Sequence, residues 1–202
     1  MALKTSVFVR NINNLSDARY CAGMGVDLLG FCIDSTLPNH VTPSKVKEIA
    51  GWVAGVKIAA EVDELNETTH NLIKETDPEV VLLNRVNGKT ENLSIPVLLK
   101  VKININTPEQ CEKIFSDNEQ NVEGFLIEND EISDISLQKE LVKDWCSKWK
   151  IFIGSGINND NLEVILNTIA PTGISLKGGD EIKPGLKTFD ELADILEYLE
   201  VD

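Results

Sequence analysis

Eight strand-length apolar runs recur along the 202-residue chain, with segments of helical pattern between them. These runs are nearly continuous in hydrophobicity, which is typical of strands that are covered on both faces. Strict alternation of strands and helices predicts a parallel sheet, and eight units predict a compact (β/α)₈ barrel, a single domain over residues 1–202. The alternative is an open doubly wound sheet, which is disfavoured because no G-x-G-x-x-G follows the first strand. The predicted strands are residues 6–11, 27–33, 55–62, 79–84, 95–103, 122–128, 150–156 and 173–178.

The connecting segments carry helix signals. Residues 42–55 begin with a threonine N-cap and a proline in the first turn, and their apolar side chains recur on one helical face. Cys111 falls on the apolar face of residues 107–115 and is predicted to belong to the core. Similar patterns cover residues 158–171 and 188–200, whereas the fourth connection, residues 85–94, is short and predicted to hold little helix.

The charge balance of the chain restricts its partners. With 33 acidic and 19 basic side chains, the formal net charge is −14, which repels a nucleic acid backbone. No apolar run reaches the roughly 18–20 residues that a membrane-spanning helix needs, and the N-terminus lacks a secretory signal pattern. Four cysteines without C-x-x-C spacing indicate reduced thiols in a cytoplasmic protein. Two histidines and scattered carboxylates predict neither a metal nor a cofactor.

Glycine-rich segments follow the seventh and eighth predicted strands, "GSGINND" (154–160) and "KGGDEIKPG" (177–185). Glycine lets backbone N–H groups approach a ligand closely, a following helix start adds partial positive charge, and barrels often bind phosphate at these two loops. The alternative is that the glycines only make tight turns. We predict a site for a phosphorylated small-molecule ligand, formed by Gly154, Ser155, Gly156, Lys177, Gly178 and Gly179.

Several motifs carry a family resemblance. The stretches "NLSDARYCAGMGVDLLGF" (14–31), "GSGI" (154–157) and "GISLKGGDEIKPGLKTFDELADILEYL" (173–199) resemble the phosphoribosylanthranilate isomerase family, and the similarity covers nearly the whole chain. The resemblance implies a (β/α)₈ barrel and an Amadori rearrangement of N-(5-phosphoribosyl)anthranilate in tryptophan biosynthesis. It also implies a phosphate site on the loops after strands 7 and 8.

The resemblance agrees less well at the catalytic positions. The family's first strand ends in a cysteine that acts as general base, and the matching residue here is Arg10. The family's general acid is an aspartate at the end of strand 6, and the matching residue is Glu128. The family's arginine for the anthranilate carboxylate is matched by Asn39, and an aspartate of strand 8 is matched by Ser175.

Arginine stays protonated near neutral pH, so Arg10 cannot act as the base. Three other residues are candidates for that role, namely Cys32, Asp34 and His40. Strand parity and the resemblance together predict that Arg10 points into the barrel mouth, where a buried cation needs an anionic partner. That partner is either Glu128, which would then stay ionised and unable to protonate a substrate, or a ligand carboxylate.

Three functions remain open from the sequence. The first is an isomerase-family barrel that binds a phosphosugar and has weak or no family turnover. The second is a catalytically inactive phosphosugar-binding or interaction protein. The third is a different phosphosugar isomerase or lyase that uses Glu128 together with a cation. The sequence leaves the oligomeric state undetermined.

Overall fold

Eight parallel strands close a barrel in sequence order in the computed structural model, which confirms the predicted fold. The structure describes residues 2–86, 93–132, 134–178, 181–183, 186–187 and 190–201. The first and last strands pair over five positions, from Ser6 opposite Gly173 to Arg10 opposite Lys177. The strands are β1 Ser6–Arg10, β2 Leu28–Cys32, β3 Lys57–Val62, β4 Val80–Leu83, β5 Val97–Lys102, β6 Gly124–Glu128, β7 Ile151–Ile153 and β8 Gly173–Lys177.

Seven α-helices and two other helical segments surround or follow these strands among the described residues. Two of the predicted helix starts are present, since Thr42 and Thr107 cap their helices by accepting backbone N–H bonds. Cys111 is fully buried on the inner face of its helix, as predicted. The helices are α1 Leu15–Gly23, α2 Pro43–Ala50, α3 Glu67–Thr76, α4 Pro108–Asn118, α5 Lys139–Lys148, α6 Leu162–Val164 and α7 Asp190–Leu199, with a 3₁₀ helix at Ile135–Gln138 and a π-helix at Ile165–Ile169.

The helix after β7 is shorter than the sequence pattern predicts. Asn158 accepts side-chain hydrogen bonds from the N–H groups of Asp160 and Asn161, so these residues form a turn. Helical structure therefore begins only at Leu162, and after one α-helical turn it continues as the π-helix.

Two other connections, those after β8 and after β4, can be compared with the predicted structure only in their described parts. An antiparallel hairpin, β9 Glu181–Lys183 with β10 Leu186–Lys187, lies in the segment treated as a glycine-rich loop. Strands of three and two residues are too short to leave a hydrophobic pattern. In the fourth connection residues 87–92 lie outside the described residues, and the described flanks carry no helix.

Alternation along the strands divides the barrel interior into two zones. Towards the amino ends the interior is apolar, and a separate larger core fills the space between barrel and helices. Towards the carboxyl ends, the same strand parity places charged and polar side chains inside the barrel. The apolar zone contains Phe8, Leu28, Ala59, Val80, Leu82, Leu98, Leu126 and Phe152, and the polar zone contains Arg10, Glu61, Lys100, Glu128 and Ser175.

Candidate functional site at the barrel mouth

A cavity of about 920 Å³ lies at the carboxyl ends of the strands. Although the whole chain is strongly acidic, the described residues that line this cavity include one more cation than carboxylates. A small anionic ligand would therefore meet a local field unlike that of the rest of the surface. The cations are Arg10, Arg85, Lys100, Lys102 and Lys177, and the carboxylates are Glu61, Asp63, Glu128 and Asp130.

Arg10 and Glu128 form a buried ion pair across the mouth. Arg10 is the last residue of β1 and Glu128 the last of β6, and each is only 3% exposed. The Arg10 Nη2 donates to Glu128 Oε1, and the Arg10 Nε donates to the Ser175 hydroxyl at 2.8 Å. Arg10 thus points into the barrel, as strand parity and the resemblance together predict, and its partner is Glu128.

The cations around Glu128 keep it ionised. Burial by itself would raise the pKa of Glu128, but Arg10, Lys100 and Lys177 outweigh burial and lower the pKa below the ordinary value. Lys177 Nζ lies 3.6 Å from Oε1 and Lys100 Nζ lies 3.8 Å from Oε2. Near neutral pH the group is therefore a carboxylate that accepts hydrogen bonds and has no proton to donate.

A second ion pair lies beside the first, between Lys100 of β5 and Glu61 of β3. The distance from Lys100 Nζ to Glu61 Oε1 is 2.5 Å, and the side chains are 8% and 14% exposed. Sequence reasoning missed both residues. The available signal was a charged residue within each apolar strand, in "VLLKVK" and "KIAAEV", at the parity that faces the barrel interior.

Cys32, Asp34 and His40 are the three candidate replacement bases, and each lacks something that a general base at the mouth needs. Cys32 lines the cavity, but burial and then the neighbouring Glu61 raise its pKa to about 12, so it remains a thiol. Burial acts to raise the pKa of Asp34, but hydrogen bonds from Thr36 and from the Asp63 N–H lower it overall. Asp34 thereby joins two mouth loops. His40 is exposed, and it is not among the described residues that line the cavity.

Asn39 lies at the rim of the cavity, where the resemblance places the carboxylate-binding arginine. Its backbone is left-handed, with φ of 58°, a conformation that asparagine tolerates better than most residues. The neutral amide can donate hydrogen bonds but supplies no positive charge. Arg85 also lines this cavity, and its guanidinium pairs with Asp63.

The glycine-rich ends of β7 and β8 offer fewer free donors than the sequence suggested. The Gly154 N–H donates to the Ile127 carbonyl at 2.9 Å, and the Gly178 N–H donates to the Arg10 carbonyl at 2.7 Å. Both groups extend the barrel ladders by one residue, so neither is free for an anion. Gly179 lies outside the described residues.

Ser155 and Gly156 retain N–H groups for which the described residues provide no acceptor. The Ser155 hydroxyl accepts the Asn129 N–H at 2.6 Å, and the Gly156 carbonyl accepts the Ile135 N–H at 2.9 Å. Gly156 has φ of +67°, and a Cβ there would lie 2.7 Å from the Ile135 nitrogen. These contacts connect the loop to the residue after β6 and to the start of the 3₁₀ helix.

The partial positive charge expected from the helix after β7 is weak in the structure. The Asp134 carboxylate accepts a hydrogen bond from Asn161 Nδ2 at the start of this helical segment, so its negative charge offsets the partial positive charge of the helix start. Positive charge near these loops therefore has to come from side chains. Lys177, at the end of β8, supplies such a charge, and 57% of its side chain is exposed.

The family model described as N-(5'phosphoribosyl)anthranilate (PRA) isomerase matches residues 9–198. The chain belongs to the phosphoribosylanthranilate isomerase family. A curated isomerase of this family from Sulfolobus acidocaldarius is 26% identical over 188 residues, which cover 92% of each chain. One from Aquifex aeolicus is 24% identical, covering 94% of this chain and 96% of the relative.

Solved structures of phosphoribosylanthranilate isomerases share the fold of this chain. The enzyme from Thermotoga maritima aligns with a TM-score of 0.79 at 17% identity, covering 96% of this chain and 97% of that one. A further solved isomerase, with a TM-score of 0.72 and 17% identity over 96% and 97% of the chains, is a complex with reduced 1-(o-carboxyphenylamino)-1-deoxyribulose 5-phosphate.

Two features are absent from the described residues of this phosphoribosylanthranilate isomerase family member. Within them, no helix combines the length and apolar character needed to cross a bilayer. The same part of the chain contains no group of three or more His, Cys, Asp or Glu side chains arranged to hold a metal ion.

The Arg10–Glu128 pair has a testable effect on stability. Glu128→Gln leaves Arg10 buried without its ionic partner, and we expect a loss of about 3–5 kcal/mol in the free energy of unfolding at pH 7. Asp130→Asn breaks the exposed pair with Lys102 and is the matched control, with an expected loss of at most about 1 kcal/mol. Urea unfolding measures both variants, and equal losses would contradict the special role of the buried pair.

The loss in the free energy of unfolding of Glu128→Gln depends on pH, and the lowered pKa of Glu128 fixes the direction of that dependence. Because the pKa of Glu128 is lower in the folded than in the unfolded chain, its contribution to stability is complete above the ordinary glutamate value of about 4.3. The contribution disappears as the pH falls through the folded-state pKa. The difference between wild type and Glu128→Gln should therefore narrow below about pH 4.3.

Proposed function

We propose that this family member binds a sugar phosphate at the barrel mouth and catalyses the family's Amadori rearrangement weakly or not at all. The observation that carries the proposal is the buried Arg10–Glu128 ion pair. It occupies the two positions at which the resemblance places the general base and the general acid. The pair therefore affects both proton transfers of the family reaction.

The chemical argument concerns each proton transfer separately. A positioned acid or base contributes roughly 10²–10⁴-fold to rate, and an Amadori rearrangement needs one of each. Arginine cannot accept a proton near neutral pH, and Glu128 is held as a carboxylate that has none to give. Cys32 cannot replace the base, since its thiol is protonated.

Anion binding is supported by the distribution of charge and donors at the mouth. Lys177 is exposed at the end of β8, and the Ser155 and Gly156 N–H groups follow the neighbouring strand β7. Loops in these two positions often bind phosphate in barrels of this type. The compound in the solved isomerase complex carries a 5-phosphate on a ribulose skeleton, so a sugar phosphate is the ligand class that we propose.

The plain isomerase is the second candidate, and family membership is the observation that favours it. It requires a base and an acid other than the residues that the resemblance indicates. Growth rescue of a tryptophan auxotroph that lacks this isomerase, with the protein confirmed to be expressed in soluble form, would support that candidate.

Ligand binding can be tested with D-ribulose 5-phosphate and calorimetry. Lys177→Met removes the exposed cation, and we expect affinity to fall about tenfold or more, because a charge-assisted hydrogen bond contributes about 1.5–3 kcal/mol. Lys150→Met is the matched control, since Lys150 lies just before β7 at the opposite end of the barrel and pairs with Glu123. No binding by wild type, or equal affinity in both variants, would argue against this site.

Turnover is tested with N-(5-phosphoribosyl)anthranilate as substrate. We expect wild type to stay near the uncatalysed rate and Arg10→Cys to exceed it by at least about tenfold, because the variant gains a thiol and releases Glu128 from its closest cation. Arg10→Met is the control, since it releases Glu128 without supplying a base. Rapid wild-type turnover would establish the plain isomerase and overturn the proposal.

A further inference from the structure

Lys100 and Glu61 take no part in the function proposed above. Neither corresponds to the acid or base positions of the resemblance, and neither belongs to the loops after β7 and β8. Both line the mouth cavity, and Lys100 Nζ lies 2.5 Å from Glu61 Oε1 and 3.8 Å from Glu128 Oε2. An amine and a carboxylate are thus in contact at the wall of a cavity that has room for a small ligand.

Stabilisation of the fold does not by itself explain the presence of the Lys100–Glu61 ion pair. Removing two charges from water is costly, and replacing a buried ion pair by apolar side chains is often neutral or stabilising. The alanines Ala59 and Ala60 precede Glu61 on β3, and Leu98 and Leu99 precede Lys100 on β5, so both strands otherwise contribute apolar packing at these levels. A lysine amine forms Schiff bases with carbonyl compounds, however, and a neighbouring group that accepts a proton can serve such a nucleophile as general base.

We propose that Lys100 forms an imine with the carbonyl carbon of an open-chain sugar phosphate, with Glu61 as its proton acceptor and donor. The inference rests on the proposed function for the ligand class, because the phosphate group brings the sugar to the mouth beside Lys177. Lys177 and Lys100 both lie within 4 Å of the Glu128 carboxylate, at 3.6 and 3.8 Å. A ligand whose phosphate lies near Lys177 can therefore extend its carbon chain towards Lys100.

The reaction needs only the carbonyl compound and the two side chains. The Lys100 ammonium transfers a proton to Glu61, the free amine attacks the carbonyl carbon, and the C=O electron pair moves to oxygen, which takes the proton back from Glu61. The nitrogen of the carbinolamine then loses a proton to Glu61. The C–O bond breaks as the hydroxyl receives that proton, and water leaves.

The product is an iminium cation that carries the positive charge of the original ammonium. The Glu128 carboxylate lies close to the nitrogen and compensates this charge. In this arrangement an ionised Glu128 is useful, whereas the acid role implied by the family resemblance would require it to be protonated.

The test uses the full-length protein with D-ribulose 5-phosphate and sodium cyanoborohydride, which reduces an iminium to a stable secondary amine. Intact mass spectrometry should show one adduct, and peptide mapping should place it on Lys100. Lys100→Arg keeps the positive charge beside Glu61, but its guanidinium stays protonated, so the adduct should be lost. Lys150→Met, at the opposite end of the barrel, should retain it, and Glu61→Gln should slow its formation about a hundredfold.

The outcomes separate this inference from the proposed function. Calorimetry without the reductant tests sugar phosphate binding alone. Binding together with adducts only on exposed lysines would overturn the imine proposal and leave the proposed function in place. Absence of binding, with glycolaldehyde still labelling Lys100 ahead of the exposed lysines, would overturn the proposed function and support the imine. If the protein neither binds the sugar phosphate nor is labelled at Lys100, both the proposed function and the imine proposal are overturned. Peptide mapping of the wild-type protein decides the imine proposal even if Lys100→Arg fails to fold.

Discussion

The buried ion pair between Arg10 and Glu128 determines the electrostatics of the whole barrel mouth. Either charge alone would be costly at 3% exposure, so each requires the other. Glu128 also lies near Lys100 and Lys177, and Lys100 connects it to Glu61. The result is a continuous network in which Glu128 is ionised and the cations are directed towards the cavity. The fold is shared with the isomerase family, and our proposal is that the proton-transfer chemistry available at the strand ends differs from the family's.

Barrel geometry explains how residues so distant in sequence form this network. Side chains alternate between the interior and the helix layer along each strand, and the network residues all have interior parity near carboxyl ends. The apolar zone below them supplies packing that needs no charge, so the polar zone can be devoted to ligand chemistry. An anion that enters from solvent would meet Lys177 first, because its side chain is largely exposed. Lys100, which is mostly buried, would be reached only by the part of the ligand that goes deeper.

Much of the fold was predictable because apolar runs and helix signals are local properties of the chain. The inward direction of Arg10 followed from strand parity together with the family resemblance, and the position of Glu128 followed from the resemblance. The Lys100–Glu61 contact could not be predicted, since it depends on the register of β3 with β4 and of β4 with β5. A charged residue in each apolar strand was the available signal. The Gly178 N–H was misjudged because the ladder between β1 and β8 continues one residue past the strand. The helix after β7 starts late because asparagine side chains compete for its first N–H groups.

The central claim is that the mouth network keeps Glu128 ionised, and a carbon-13 NMR titration of its side-chain carboxyl tests this most directly. The Glu128 carboxyl resonance is identified as the one that is missing from the spectrum of the Glu128→Gln variant. Our account predicts a titration midpoint below the ordinary glutamate value of about 4.3 in wild type, and a higher midpoint in Arg10→Met, where the closest cation is absent. A wild-type midpoint at or above that value would show that the network does not favour the ionised form of Glu128, and would contradict the account.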